Sequence, residues 1–569
     1  MNIRKISIFC LVYFYFSISL YSQITSNPFC ANGPTYESTE LGFASFRHHV
    51  NWFRFDSVGI YDFSNTDDIA NIYGATGIEP VIIFKCTPRI QDTTANADTT
   101  GWSHCEKELW ERIHDTVMPS PETSWFPADT TAWKNFLTAF VERYNGDGIN
   151  DYPGLVYPFR VYQLEVEMTR VWCTENNDSF PDDYVRYINM SYRTIKEADP
   201  DALVKMAGWG SVDVHMFYLH YIDTDSIPIN QNLYIQRHHL DTSQLYQQNL
   251  NDWQYIFENA DYDAFDIHCY GLAEHFPGRA TGLRALFDTA GIKPLWALEG
   301  GGPFRYKAEV FNPFNDSGYL SPQLVMENAA YVIRYYVGGI GSGFARLAWN
   351  VVPEYDPWGQ EFGDLDLMSI DFENKPSYWV YKGLASFIAD YLLAEAIPDN
   401  LYWNNSDIIG YRIQTPSQNY IFIWNLKDSA SIALKGITQQ HIYPTIMGDS
   451  LWTGISLNSD SIYTFNTSRL PLIFEGTLVP TSTEEELSKY KHIMLYPNPS
   501  SDILHLITSR CLKNGTIMIY DNLGQIIRTF TNIYGNELII NIENLPDGFY
   551  HLNITEENSC FGYKKFVKN

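Results

Sequence analysis

The chain has 569 residues, 45% of them hydrophobic, which is more than one compact domain holds and enough for several buried cores. Its 38 basic residues face 67 acidic ones, a net charge of −29, and a surface of that sign repels phosphate backbones, so nucleic acid is excluded as a partner. Beyond the first residues no stretch reaches the roughly 18 consecutive apolar positions of a membrane-spanning helix, so no transmembrane segment is expected in the mature chain.

Arg4 and Lys5 precede an apolar run from Ile6 to Leu20 and then Ser22 and Gln23, the pattern of an export signal over residues 1–23. Cys10 sits inside this run without the small neighbours of a lipid-attachment site. Seven cysteines follow (Cys30, Cys86, Cys105, Cys173, Cys269, Cys511 and Cys560), an odd number with no CxxC spacing, so neither a metal nor a redox motif is indicated. Cys511 and Cys560 share the terminal module and form a candidate bridge.

From about Asn51 to Leu384, short apolar runs alternate with longer amphipathic ones, the signature of parallel strands joined by crossover helices. Strands are predicted at Val50 to Asp56, Pro80 to Lys85, Val161 to Glu167, Leu203 to Gly208, Phe265 to Tyr270, Pro294 to Glu299 and Phe344 to Asn350. A weakly marked first strand near Asn27 to Asn32, followed by a helix across Tyr36 to His48, would complete eight. Trp133, Phe136, Leu137, Phe140, Val141 and Tyr144 follow a helical stripe closed by Gly146, and a second helix runs from Ser179 to the Asp199-Pro200 stop. The fold class is therefore α/β, a (β/α)8 TIM barrel over residues 24–390. Thr87 to Asp129 and Thr224 to Asp261 read as long insertions at its catalytic face.

After Leu384 the pattern changes to short alternating runs between turns: Ile408 to Ile413, Asn419 to Trp424, Ser431 to Leu434, Ser461 to Phe465 and Pro471 to Phe474. These predict a small β-sandwich over 391–476. A Thr-, Ser- and Glu-rich linker over 477–491 and a β-rich module over 492–569 follow.

Side chains at the carboxyl ends of barrel strands converge on one mouth. Glu167 ends the predicted fourth strand and Glu299 the seventh. Two facing carboxyl groups are what cleavage of a glycosidic bond requires, one to protonate the leaving oxygen and one to attack or stabilise the anomeric carbon. Glu165, two residues before Glu167, is expected on the same face one layer deeper, supporting the site. The paired histidines His48-His49 and His238-His239 do not form the ordered strand-end ligand set of a barrel metallohydrolase. Two-carboxylate chemistry needs no metal and no cofactor, and none is expected.

The stretch VERYNGDGINDYPGLVYPFRVYQLEVE from Val141 to Glu167 resembles the retaining glycoside hydrolases of the (β/α)8 superfamily called clan A, in particular family 39-like and family 5-like members. YRTIKEADPDALVKMAGWG, FDIHCYG and KPLWALEGG are similar to that superfamily's fifth, sixth and seventh strand segments. The resemblance implies Glu167 as acid/base and Glu299 as nucleophile. It implies Arg54 as the arginine that keeps the nucleophile ionised, His268 and Tyr270 as the H-x-Y of the sixth strand, and Trp349 as a sugar platform. Trp209 and the Arg237 to His239 loop are candidate substrate contacts. Where those enzymes place Asn before the acid/base, this chain has Val166, which cannot bind a sugar 2-hydroxyl. The implied activity is hydrolysis of β-linked poly- or oligosaccharides. A carbohydrate-binding barrel without turnover, or an adhesin on the same scaffold, is the alternative.

LYPNPSSDILHL, IYDNLGQII, LPDGFYHLNI and the closing KKFVK resemble, in that order, the C-terminal sorting domain of type IX secretion substrates. This implies a second partner, the type IX secretion machinery, and a secreted or cell-surface location.

Overall fold

A computed structural model describes residues 27–32, 36–52, 60–86, 100, 124–127, 129–167, 172–173, 181–209, 244–270, 273–287, 293–301, 322–350, 367–368, 373–426, 429–445, 450–479, 493–496, 500, 502–520, 526–546, 548–556 and 559–568. Eight parallel strands close into a barrel: β1 (Phe29–Ala31), β2 (Ser45–Asn51), β3 (Glu79–Lys85), β4 (Val161–Glu167), β5 (Leu203–Trp209), β6 (Ala264–Tyr270), β7 (Leu295–Gly301) and β8 (Phe344–Trp349). Each pairs with its neighbours in sequence, and β1 closes the ring against β8 through Phe29↔Leu347, Cys30↔Ala348 and Ala31↔Trp349. The helices around the barrel, among the described residues, are α1 (Ser64–Gly74), α2 (Thr130–Tyr144), α3 (Asp182–Ala198), α4 (Gln244–Asn259), α5 (Phe276–Phe287), α6 (Pro322–Gly341) and α7 (Pro376–Ile388).

The strands divide their side chains between two cores by simple alternation. Cys30, Val81, Val161, Leu203, Ala264, Trp296, Leu298 and Ala348 fill the barrel interior. Phe84, Leu164, Val204, Phe265, Ala297 and Leu347 face outward, against the helices. In α2 the predicted stripe Trp133, Phe136, Leu137, Phe140, Val141 and Tyr144 is the buried face, and Asp129 caps the helix by accepting from the Thr131 and Ala132 N–H groups.

Two expectations are corrected in this half. The second strand is Ser45–Asn51 rather than Val50 to Asp56, and a 3-10 helix at Tyr36–Leu41 replaces the predicted helix across Tyr36 to His48. In SFRHHVN the inward positions are the polar Ser45 and Arg47, both buried, so the strand lacks the apolar run by which strands are recognised. The predicted insertion Thr224 to Asp261 contains α4, whose Trp253, Ile256 and Phe257 pack into the outer core.

The sandwich strands are β9 (Leu393–Ala396), β10 (Ile408–Gln414), β11 (Asn419–Asn425), β12 (Ala430–Ile442), β13 (Thr453–Ser456), β14 (Tyr463–Thr467) and β15 (Leu472–Val479), in the order β9-β10-β11-β15-β12-β13 with β14 on β12. One face, including Ile421, Ile423, Ile432 and Phe474, forms its own core. The opposite face, including Tyr411, Tyr420, Phe422, Trp424 and Ile473, belongs to the same cluster as the barrel helices. Residues 331–340 of α6 are accordingly buried all round. Arg334 on that helix pairs with Glu274 and Glu327, and Arg469 from the sandwich side reaches Glu327 at 3.7 Å. Val479 is still strand, so the predicted linker begins within β15; residues 480–491 lie outside the described ones.

The last module is an antiparallel five-stranded sheet, β16 (Ile493–Tyr496), β17 (Ile503–Tyr520), β18 (Ile526–Asn541), β19 (Gly548–Glu556) and β20 (Ser559–Lys568). Its core of Leu504, Leu506, Ile517, Ile519, Leu552, Phe566 and their neighbours is separate from the others. Cys30, Cys86 and Cys269 are free and buried; the side chains of Cys511 and Cys560 lie outside the described residues. Among the described residues, no helix is long and apolar enough to cross a membrane.

The seam between barrel and sandwich is tight at Gly341, where a Cβ would lie 2.2 Å from Cδ1 of the buried Tyr411 ring. Gly341→Val should therefore destabilise the protein by ~1–3 kcal/mol, the usual cost of overpacking. The expected result is a lower Tm in calorimetry, and an unchanged Tm would show that the seam yields.

Candidate active site

Glu299 lies near the carboxyl end of β7, where its carboxylate Oε2 accepts from Arg47 Nη1 at 2.7 Å. Arg47 projects from β2 with 2% of its side chain exposed, against 21% for Glu299. A guanidinium this close favours the charged form of the carboxylate, and a carboxylate is what lets the guanidinium stay out of water. The same Nη1 also donates to the Leu298 carbonyl at 3.2 Å, and Asn32 Nδ2 donates to that carbonyl at 3.3 Å.

His268, 1% exposed on β6, stands directly opposite Glu299 in the ladder and brings Nδ1 within 3.7 Å of Oε2. Its Nε2 lies 3.9 Å from Asp266 Oδ2, and Asp266 in turn pairs with Lys205 Nζ at 2.8 Å, both completely buried. Gly208 on β5 makes room for this cluster: a Cβ there would lie 2.6 Å from His268 Nε2 and 2.9 Å from Asp266 Oδ2. Deeper still, Arg346 pairs with Glu79 at 2.7 Å, and Arg346 and Lys205 both lie over the Trp296 ring. The interior below Glu299 is thus built from paired charges as much as from apolar side chains.

Glu167 is the last residue of β4, in register with Gly208 of β5. Its backbone therefore stands at the same rim as that of Glu299, three strands away around the ring. Its side chain, like those of Trp209 and Tyr270 at the ends of β5 and β6, lies outside the described residues, as do Arg54 and the Arg237 to His239 loop entirely.

Arg54, expected beside Glu299, lies outside the described residues; among the described ones the guanidinium that reaches Glu299 is that of Arg47. The signal was present in SFRHHVN, where an inward-facing arginine falls two positions before another inward residue, His49. That signal was masked by the aromatic run Trp52 to Phe55, which drew the strand too far along the chain. His49 keeps an exposed face although atoms crowd around its ring, and desolvation first, then the nearby Lys85 and Arg47, hold its imidazole well below its ordinary range. His48 is pushed down to about 4 by burial and contacts Thr66 Oγ1 at 3.3 Å. Neither is arranged as a metal ligand, and among the described residues no group of three or more His, Cys, Asp or Glu could hold an ion.

Two further expectations are corrected. Glu165 does not lie beneath Glu167 on the inner face. Its backbone adopts φ 69°, the β4–β5 register shifts between Leu164 and Glu167, and its carboxylate accepts from the Cys86 N–H at 2.6 Å and the Tyr187 hydroxyl of α3 at 3.3 Å. The bulge breaks the two-residue period and turns Glu165 into the strand–helix layer. Burial first, and then the negative charge of Glu165, hold the Tyr187 phenol well above its ordinary range, so it remains a donor. Trp349 is completely buried. Arg346 faces the interior charges and Ala348 the interior core, so alternation turns Trp349 outward, edge-on to Tyr331 and Tyr335 of α6. It is packing, not an exposed surface for a sugar ring.

Residues 494–569 match the secretion system C-terminal sorting domain family. The chain carries an address for type IX secretion. That makes it a secreted or cell-surface protein, and the five-stranded terminal sheet is its sorting domain. Solved structures similar to the chain include a family 39 glycoside hydrolase from the gut symbiont Bacteroides cellulosilyticus WH2, at 15% identity, covering 79% of this chain and 81% of that one with a TM-score of 0.49. A family 39 β-xylosidase from Caulobacter crescentus (12% identity, 79% and 96% covered, TM-score 0.46) and a family 30 endoxylanase from Clostridium papyrosolvens C71 (12%, 79% and 96%, 0.45) are further examples. No curated protein matches the chain.

The Lys205–Asp266 pair has a pH signature. Desolvation, only partly opposed by Asp266, brings Lys205 down from 10.5 to about 8. Between those values the unfolded chain keeps a proton that the folded protein has released, so the contribution of this group to stability rises with pH across the window. Lys205→Met has no such slope. In thermal unfolding, the wild-type Tm should therefore gain on that of the variant between about pH 8 and pH 10; a constant difference would show that Lys205 titrates as an ordinary lysine.

Proposed function

We propose that the protein is an exported retaining glycoside hydrolase acting on β-linked poly- or oligosaccharides. The observation that carries this reading is the Arg47–Glu299 pair at the mouth of the barrel, a carboxylate held charged at a strand end. A second strand-end glutamate stands on the same rim. In this reading Glu299 attacks the anomeric carbon while Glu167 protonates the glycosidic oxygen, giving a covalent glycosyl-enzyme. Glu167 then takes a proton from water, which releases the sugar with its configuration retained. Residues 1–23 serve as the export signal, and the sorting domain directs passage across the outer membrane.

One observation favours a second reading, a barrel that binds carbohydrate without turning it over. Val166, half-buried immediately before Glu167, has no side-chain hydrogen-bonding group with which to strengthen contact to the sugar in the oxocarbenium-like transition state.

Both readings meet in one experiment. Aryl glycosides and plant, algal and microbial glycans are incubated with wild type, Glu167→Gln and Glu299→Ala, and released sugar is measured. Hydrolysis by wild type that falls at least about a thousandfold in Glu299→Ala supports the enzyme. Binding without released sugar supports the second reading, and hydrolysis that survives Glu299→Ala ends the first. A crystal structure should place the two carboxyl groups about 5–5.5 Å apart; a separation of about 6.5–9.5 Å would mean inversion instead.

A further inference from the structure

We propose that Asp266 is a positioning residue for Glu299, acting through the backbone of Leu298, and that Lys205 keeps it in place as an ionised acceptor. The β6–β7 ladder pairs Asp266 with Trp296 and then His268 with Glu299, so three steps along β7 answer two along β6. The extra residue forms a bulge, and a bulge leaves backbone groups outside the ladder. Side chains take them over. Asp266 Oδ1 accepts from the Leu298 N–H at 2.7 Å, while Arg47 Nη1 and Asn32 Nδ2 donate to the Leu298 carbonyl.

The bulge has a definite effect on Glu299. Leu298 is packed in the interior core, so strict alternation would turn Glu299 outward, toward the helices. Instead it stands opposite His268 and reaches Arg47. Leu298, through which it is re-aimed, is held at both ends by buried charged side chains, Asp266 at its N–H and Arg47 at its carbonyl. A buried carboxylate keeps its charge only beside a counter-charge, and Lys205 Nζ at 2.8 Å, from the neighbouring strand β5, supplies it. Unlike Arg47, neither Lys205 nor Asp266 contacts Glu299 in any described interaction; both act through what they hold.

The catalytic part of this inference rests on Glu299 being the nucleophile proposed above; the positional part does not. The test compares two double variants of the full chain that leave no charge buried alone. Lys205→Met/Asp266→Asn keeps an acceptor for the Leu298 N–H, and Lys205→Met/Asp266→Leu removes it. Apolar replacement of a buried ion pair is often neutral or stabilising, so both are expected to fold with a Tm near that of wild type. Crystal structures should show the Arg47–Glu299 contact kept in the asparagine variant and opened beyond about 3.5 Å in the leucine variant. On a hydrolysed substrate, kcat should fall about 10- to 100-fold in the leucine variant, with KM within about twofold, and stay within about threefold in the asparagine variant. If the leucine variant keeps the contact, the proposal is overturned whatever the kinetics. If wild type hydrolyses nothing, the reading of function fails while the two structures still decide the positional claim. Should the leucine variant not fold, Asp266→Ala in the Lys205→Met background carries the same comparison.

Discussion

Arg47 cannot leave water without a counter-charge, and Glu299 cannot sit at the mouth of a closed barrel without a cation behind it. Their 2.7 Å contact satisfies both conditions, and much of the interior follows from it. An arginine inside a barrel needs acceptors there, and Arg47 uses the Leu298 carbonyl and the Glu299 carboxylate, with the Asn32 amide donating to the same carbonyl. Below, the same logic repeats: Lys205 is admitted by Asp266 and Arg346 by Glu79, each cation lying over the one Trp296 ring. Breaking any one pair would leave a charge stranded in a medium that solvates it poorly, and this couples the fold of the barrel to the geometry of its mouth.

The barrel was legible where alternation is regular. The strands at Val161, Leu203, Phe344 and Pro80 were placed to within a residue or two because apolar residues dominate each, interrupted only at single positions such as Gln163, Lys205 and Arg346. The stripe of α2 was legible because each of its large residues faces the core. β2 was misplaced because its inward side chains are the polar ones, so the periodicity there is that of a site rather than of a core. The same cause hid Arg47. A charged residue facing into a barrel looks, in sequence, like a charged residue facing out.

Glu165 and Trp349 were misread for a different reason, which is that side-chain direction depends on bulges that a pattern of residue types does not announce. A single left-handed residue in β4 moves Glu165 from the inner face to the helix layer. In β8 the register with β7 shifts between Phe344 and Arg346, and beyond that shift Arg346 faces Glu79, which puts Trp349 against α6. The position of Glu299 at the end of β7 was read correctly; why it faces the mouth was not, since that depends on a bulge and on an aspartate one strand away. Its place at a strand end singled out Glu299 in the sequence, and the hydrogen bonds of Leu298 explain how this chain aims it.

The sandwich and the terminal sheet are joined to the barrel in opposite ways. The sandwich lends one face to the barrel's own apolar cluster, through Tyr411, Phe422 and Trp424, so cutting it away would strip α6 and α7 of their cover. The sorting domain keeps its apolar residues to itself. A cut between the two would therefore leave the apolar cluster shared by barrel and sandwich whole among the described residues, so the address is carried without being built into what it addresses.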